Sequence, residues 1–186
     1  MTSSARRPTV LEGRVWVLRD GDGHVIDDID TDMIFHNAHL AVTRLEEMGQ
    51  YALGNLAGYE DFPSRVGSGD LILAGHNFGA GSSRQQAVDC FVALGVTLLM
   101  AESFGAIYKR NAINAGFPIM AAEDLTELRD PDGGPLVRSG DRLRVDLASG
   151  KVVHLESGTE HHARPMSGVQ LDIYHAGSLF AFGAAG

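Results

Sequence analysis

Apolar residues in this chain fall into short runs separated by glycine-rich and acidic stretches, and the runs alternate between two periods. Residues 13–18 read as a strand, closed by a turn at Gly21-Asp22-Gly23. Leu71-Ile72-Leu73-Ala74 is a continuous apolar run with the length of a buried strand. Ala87, Val88, Phe91, Val92 and Leu94 then recur at helical spacing and predict a helix opening near Ser83. Residues 96–101 form a second buried run. A helix over 107–114 follows, stopped by Gly116, and then a third apolar piece over 117–121. Strand, helix, strand, helix, strand is the order of a parallel α/β core. From Asp141 the period changes to two: Leu143, Val145 and Leu147 alternate with Arg142, Arg144 and Asp146. Gly150 and Lys151 turn this run into 152–155, an antiparallel hairpin. Leu45, Met48, Ala52 and Leu56 predict a further helix over 43–56, and residues 169–176 a closing helix with Gly177 behind it. The expectation is an α/β fold with a tail over 1–10 and a single domain over 11–186.

The chemistry concentrates between the run at 71–74 and the helix after it. Gly75, Gly79, Gly81 and Ser82 form a loop there, followed by Ser83 and Arg84. A glycine loop lets backbone approach a ligand closely, and N–H groups at a helix start favour an anion. Gly79 and Gly81 are therefore candidate ligand-binding positions. Ser82 and Ser83 add hydroxyls, and Arg84 adds a planar cation suited to a carboxylate. A capping serine in a plain turn is the simplest alternative, but Ser-Ser-Arg is more polar equipment than a cap needs. No G-K-[ST] follows, position 84 breaks the dinucleotide fingerprint, and G-x-S-x-G is absent. A site for a small acid remains, with a serine placed to do chemistry.

Three blocks of residues resemble one family. They are Asp28-Ile29-Asp30-Thr31-Asp32-Met33-Ile34, the glycine loop with Ser82-Ser83-Arg84, and 101–119 with Arg110-Asn111-Ala112-Ile113-Asn114 at its centre. In this order and spacing they resemble the small subunits of aconitase-type hydro-lyases, the group that includes 3-isopropylmalate dehydratase and homoaconitase. The resemblance covers roughly residues 11 to 180. It implies a swivelling β/β/α domain and removal and re-addition of water on a 2- or 3-hydroxy acid. It implies a large partner subunit carrying a [4Fe-4S] cluster on three cysteines, whose open iron acts as a Lewis acid. On that carry-over Ser82 is the base, Ser83 and Arg84 stabilise its oxyanion, and Arg84 also holds a substrate carboxylate. The segment after Asp32 becomes the loop that selects the variable arm of the substrate. Ala41-Val42 there suits an alkyl arm, Arg44 turned inward suits a third carboxylate, and His39 lies in the same loop. The resemblance makes 3-isopropylmalate the first choice of substrate, with homoaconitate or another alkylmalate as alternatives. Where the family has Glu-His after Ser-Ser-Arg, this chain has Gln85-Gln86. That departure leaves open a non-catalytic subunit that binds a carboxylate or serves assembly. A serine hydrolase would need a histidine beside Ser82, and His76 lies on the far side of the loop.

Composition narrows the classes. The net charge of -9 over 186 residues argues against nucleic acid or an acidic membrane as partner. No run is long enough to span a membrane, and Arg6 and Arg7 have no apolar stretch behind them, so a cytoplasmic protein is expected. Cys90, the only cysteine, falls on the apolar side of its helix and reads as a buried thiol. This chain alone thus holds no disulfide and no cysteine-ligated cluster. No metal site is expected. His154, His161 and His162 match no zinc spacing and read as exposed loop histidines, and Asp28, Asp30 and Asp32 lack the EF-hand glycine and glutamate. Asn111 and Asn114 are expected to satisfy buried backbone groups.

Overall fold

The computed structural model describes residues 6–123, 125 and 136–184. Its frame is a seven-stranded sheet whose centre is β1 (Val10–Val17). On one side β2 (Leu71–Ala74), β3 (Leu98–Ala101) and β4 (Ile119–Ala121) add in parallel, with Val15 opposite Leu71 and Leu71 opposite Leu98. On the other side β5 (Arg142–Asp146), β6 (Lys151–His154) and β7 (Glu160–His162) add antiparallel. The parallel strands read as unbroken apolar runs because both of their faces are covered. Trp16, Ile72, Ala74, Leu99 and Ala101 point into one core. Val15, Val17, Leu71, Leu73, Leu98 and Met100 point into the other. The outer antiparallel strands alternate instead: Leu143 and Val145 are buried while Arg142 and Arg144 pair with Glu12 across the open face.

The helices α4 (Gln86–Ala93) and α5 (Ala106–Asn114) follow β2 and β3, and α6 (Gly168–Ala176) closes the second core. Ser167 and Gln170 cap α6 reciprocally, and Gly177 ends it at φ 97°. A short apolar helix, α7 (Leu179–Ala184), comes after it. The α/β class and the hairpin stand as expected. Three expectations need correction. The helix over 43–56 does not form: α2 (Leu45–Met48) runs into a single 3-10 turn, Gly49–Tyr51, and stops. Ala52 and Leu53 are fully buried, and Leu53 takes φ 56° to give its N–H to the Ile34 carbonyl at 2.8 Å. Burial of those two side chains overrides the helical spacing. The tail ends earlier than residue 10. Arg7 donates to the Gly116 carbonyl, Tyr174 donates to the Pro8 carbonyl at 2.8 Å, and Val10 is already strand. The acidic segment over 27–32, too polar for a core strand and so expected to be a loop, holds a helix, α1 (Thr31–Ile34), started by Asp30, whose carboxylate accepts the N–H groups of Asp32 and Met33 at 2.8 Å. A further short helix, α3 (Phe62–Arg65), precedes β2.

Candidate active site

The loop from β2 to α4 lies at the carboxyl ends of the parallel strands, where open α/β sheets place their ligands. The acidic segment braces it from one side. Gly79 donates its N–H to the Ile29 carbonyl at 2.7 Å, Thr31 donates its N–H to the Ala80 carbonyl at 2.9 Å, and the Thr31 hydroxyl donates to the Ser82 carbonyl at 3.1 Å. Asp27 accepts the His76 N–H, and Asp28 accepts from the Asn77 side chain. Of the three aspartates, Asp28 thus holds a loop side chain, Asp30 starts α1, and Asp32 accepts from the Asn37 N–H and from Arg84. From below, Tyr108 on α5 packs its ring under Gly79 and edge-on to Phe78 at 5.2 Å. Its hydroxyl reaches the Ala87 carbonyl at 3.4 Å, and burial holds its pKa well above the ordinary phenol value.

This bracing sets what the loop presents. The helix α4 opens at Gln86, later than the expected start near Ser83, and no side chain caps it. Ser82 is held by Thr31 instead, so Ser82 and Ser83 stay outside the helix as exposed residues. Among the described residues, the backbone N–H groups of Gly81 to Gln86 take no partner within the chain. Such a run of free donors is the kind of backbone that can receive an anion. The Ser82 hydroxyl likewise has no partner among the described residues, while Ser83 accepts from the Asn111 side chain at 3.3 Å. That contact corrects the reading of Asn111: it reaches the site and satisfies no buried backbone. Asn114 is exposed. Gly79 is buried with its N–H engaged, so it shapes the loop and offers nothing to a ligand, whereas Gly81 is exposed.

Arg84 is bound within the chain. Its Nη1 donates to Asp32 Oδ1 at 2.6 Å and to the Phe35 carbonyl at 3.0 Å. The hydrogen bond from Arg84 holds the Asp32 carboxyl below its ordinary pKa, helped by the Asn37 N–H and by the charges of Arg84 and His36. The loop residues expected to select substrate are also engaged. Val42 packs against the core, and Arg44 is exposed, paired with Glu46 at 2.6 Å and Glu47 at 3.1 Å. His39 stacks on Tyr51 at 3.9 Å between ring centroids. With His36, Gln50, Gly54 and Asn55 these two rings line a surface cavity of about 300 Å³. Gln85 turns along α4 to Asp89 at 2.9 Å.

A match to the aconitase C-terminal domain covers residues 56–123. Over 170 residues the chain is 37% identical to the methanogen homoaconitase small subunit of Methanothermobacter thermautotrophicus, which spans 91% of this chain and 88% of that one. It is 37% identical to the 3-isopropylmalate dehydratase small subunit of Caldicellulosiruptor bescii, over 84% of this chain and 88% of that one. The fold superposes on the crystal structure of 3-isopropylmalate dehydratase from Methanocaldococcus jannaschii with a TM-score of 0.78 and 30% identity, covering 95% and 94% of the two chains. The chain belongs to the aconitase-type hydro-lyase small subunits. A small subunit of this family works with a large one.

Two further residue sets fall outside the site. Cys90 is fully buried, as expected, and burial drives its thiol pKa far above the ordinary value. The exposed-loop reading of His154 is overturned. It is buried, with Nε2 at 2.9 Å from Asp141 and Nδ1 accepting the Ser157 N–H at 3.2 Å, which locks the β6–β7 turn. His161 is half-buried and His162 exposed. Sequence reasoning missed the Arg84–Asp32 pair and the roles of Asn55 and Asn111. The first was legible only as two charges 52 positions apart, and the asparagines carry no local signal. Among the described residues no helix is long and apolar enough to cross a membrane.

Proposed function

We propose that this chain supplies the proton-transferring half of a two-subunit hydro-lyase acting on a 2- or 3-hydroxy dicarboxylic acid, with 3-isopropylmalate as its substrate. The iron–sulfur cluster belongs to the large partner, in keeping with the buried single thiol here. Ser82 Oγ, as the alkoxide, takes the proton from the carbon next to a substrate carboxylate and returns it in the reverse step. A serine serves as a base only where its oxyanion is stabilised, and the unpartnered N–H groups of the loop, with Arg84 beside them, provide that. Arg84 holds a carboxylate common to all the candidate substrates. The observation that carries this reading is the exposed, unpartnered Ser82 hydroxyl beside free backbone donors, on a loop fixed from two sides. The relatives' names support 3-isopropylmalate, with homoaconitate as the alternative. The domain acts as one swivelling unit that brings Ser82 to the partner's site.

The test is steady-state kinetics of the reconstituted pair. Ser82→Ala is expected to lower kcat by two orders of magnitude or more with KM much less changed, as for an interaction made chiefly in the transition state. Near-normal turnover removes Ser82 as the base. Carboxylate binding without turnover by the wild-type pair supports the assembly subunit instead.

A further inference from the structure

We infer that Asp32 is the positioning residue for Arg84, fixing its guanidinium so that the Nε–Nη2 edge is left for the substrate carboxylate, and that Asn55 braces Asp32 from behind. The inference rests on the reading that Arg84 grips that carboxylate.

The donor count carries it. A guanidinium has five N–H groups in a rigid fork. Both protons of Nη1 are used within the chain, one by Asp32 Oδ1 at 2.6 Å and one by the Phe35 carbonyl at 3.0 Å. The Nε proton and the two Nη2 protons have no partner among the described residues. One Nε–H and one Nη2–H lie parallel, which is the pair a carboxylate takes with both oxygens. An aspartate bridging Nε and Nη2 would have consumed that edge. Asp32 instead anchors the guanidinium by the one nitrogen the substrate does not need.

Asp32 is itself held in place. It lies in the first turn of α1, whose start is fixed by the Asp30 cap. Its Oδ1 also accepts the Asn37 N–H at 3.0 Å. Its Oδ2 accepts from the Asn55 amide at 3.2 Å, and His36 Nε2 stands 3.9 Å away. Asn55 reaches the Asp32 carbonyl as well, at 3.4 Å. The Arg84 side chain is only 15% exposed, so a guanidinium released from Asp32 has little room to find another orientation that still faces the loop. Asn55 also lines the cavity beside His39 and Tyr51, so the brace links the selective loop to the common grip.

The experiment is a double-mutant cycle on the reconstituted two-subunit enzyme, with 3-isopropylmalate and homoaconitate as substrates. Asp32→Asn is expected to lower kcat/KM tenfold or more, most of it in KM. It is expected to add less than twofold in an Arg84→Lys background, because the two act as one unit. Asn55→Ala keeps every charge and sits on the surface, so it guards against an Asp32 variant that folds poorly. It is expected to cost twofold to fivefold in KM in the wild type and nothing measurable in Arg84→Lys. Additive losses in the cycle, or a lower KM in Asp32→Asn because the aspartate merely competes with substrate, overturn the inference while leaving the Arg84 reading intact. If Arg84→Lys itself leaves both substrates unchanged, the reading of Arg84 falls, and the positioning role with it.

Discussion

Gly79 ties the stability of the fold to the shape of the site, and replacing it by alanine separates two costs that usually come together. Gly79 has φ 78°, and a Cβ there would drive into the ring of Tyr108, which is fully buried and cannot swing away. An L-residue in the left-handed region costs roughly 1–2 kcal/mol. Forcing an extra carbon into a close-packed interior costs about 1–3 kcal/mol more. The stiffer unfolded chain returns about 0.4–1 kcal/mol. The net loss for Gly79→Ala is therefore about 1–4.5 kcal/mol. At about 2–4 °C per kcal/mol for a chain of this size, Tm falls by roughly 2–18 °C. Two controls carry the torsional cost without the collision. Gly81 has φ 95° with the Thr31 hydroxyl at 3.5 Å and Asp30 Cβ at 3.8 Å from its added Cβ, both ordinary contacts, and Gly23 has φ 85° with nothing within 4 Å. Each is expected to lose about 0–1.5 kcal/mol. The assay is urea unfolding followed by fluorescence of Trp16, the single tryptophan, which is buried beside Arg14 and Phe62. If Gly79→Ala is no less stable than Gly81→Ala, the loop is not packed on Tyr108 as described, and the account of how Ser82 is positioned fails with it.

Two other consequences concern the buried groups. Burial of Asp70 pushes its pKa up, but the hydrogen bonds from Arg14, the Gly67 N–H and the Trp16 indole outweigh that, so the net shift is downward. Its stabilisation is thus complete above the unfolded carboxylate value of about 4 and is lost as pH falls through the lower folded value. Asp70→Asn should cost about 1–3 kcal/mol near pH 7, with the gap to wild type narrowing below about pH 4 in urea titrations; a gap that widens in acid refutes the assignment. Cys90 should not react with a thiol-specific disulfide reagent at pH 8 until denaturant is added, whereupon one thiol per chain should appear; prompt reaction of the folded protein would show that the buried face of α4 is not packed against the core as described.

How much could be read in advance differs from element to element. The strands at 71–74 and 98–101 were legible because a strand buried on both faces shows as an unbroken apolar run. The hairpin of β5 and β6 was legible for the opposite reason, since one face meets water and the period of two appears in the residues. Helix α6 announced itself by Gly177. The 43–56 segment misled, because Leu45, Met48, Ala52 and Leu56 keep helical spacing while Leu53 leaves the helix to meet Ile34. Which strands neighbour which, and which core each side chain enters, is a matter of contacts distant along the chain.

The site divides in the same way. The sequence by itself determined the chemical inventory: a glycine loop, two serines and an arginine after a buried strand, and a single cysteine, which cannot hold a cluster by itself. Local chain geometry follows from neighbouring residues, so these parts can be recognised in a row. Tertiary structure alone decided their deployment. It turned Arg84 onto Asp32, put Asn111 against Ser83, placed Asn55 behind Asp32, and gave Arg44 to its own glutamates. The physical reason is that a hydrogen bond depends on where two groups meet in space. Residues as far apart as 32 and 84 are brought to 2.6 Å only by the sheet that carries both loops.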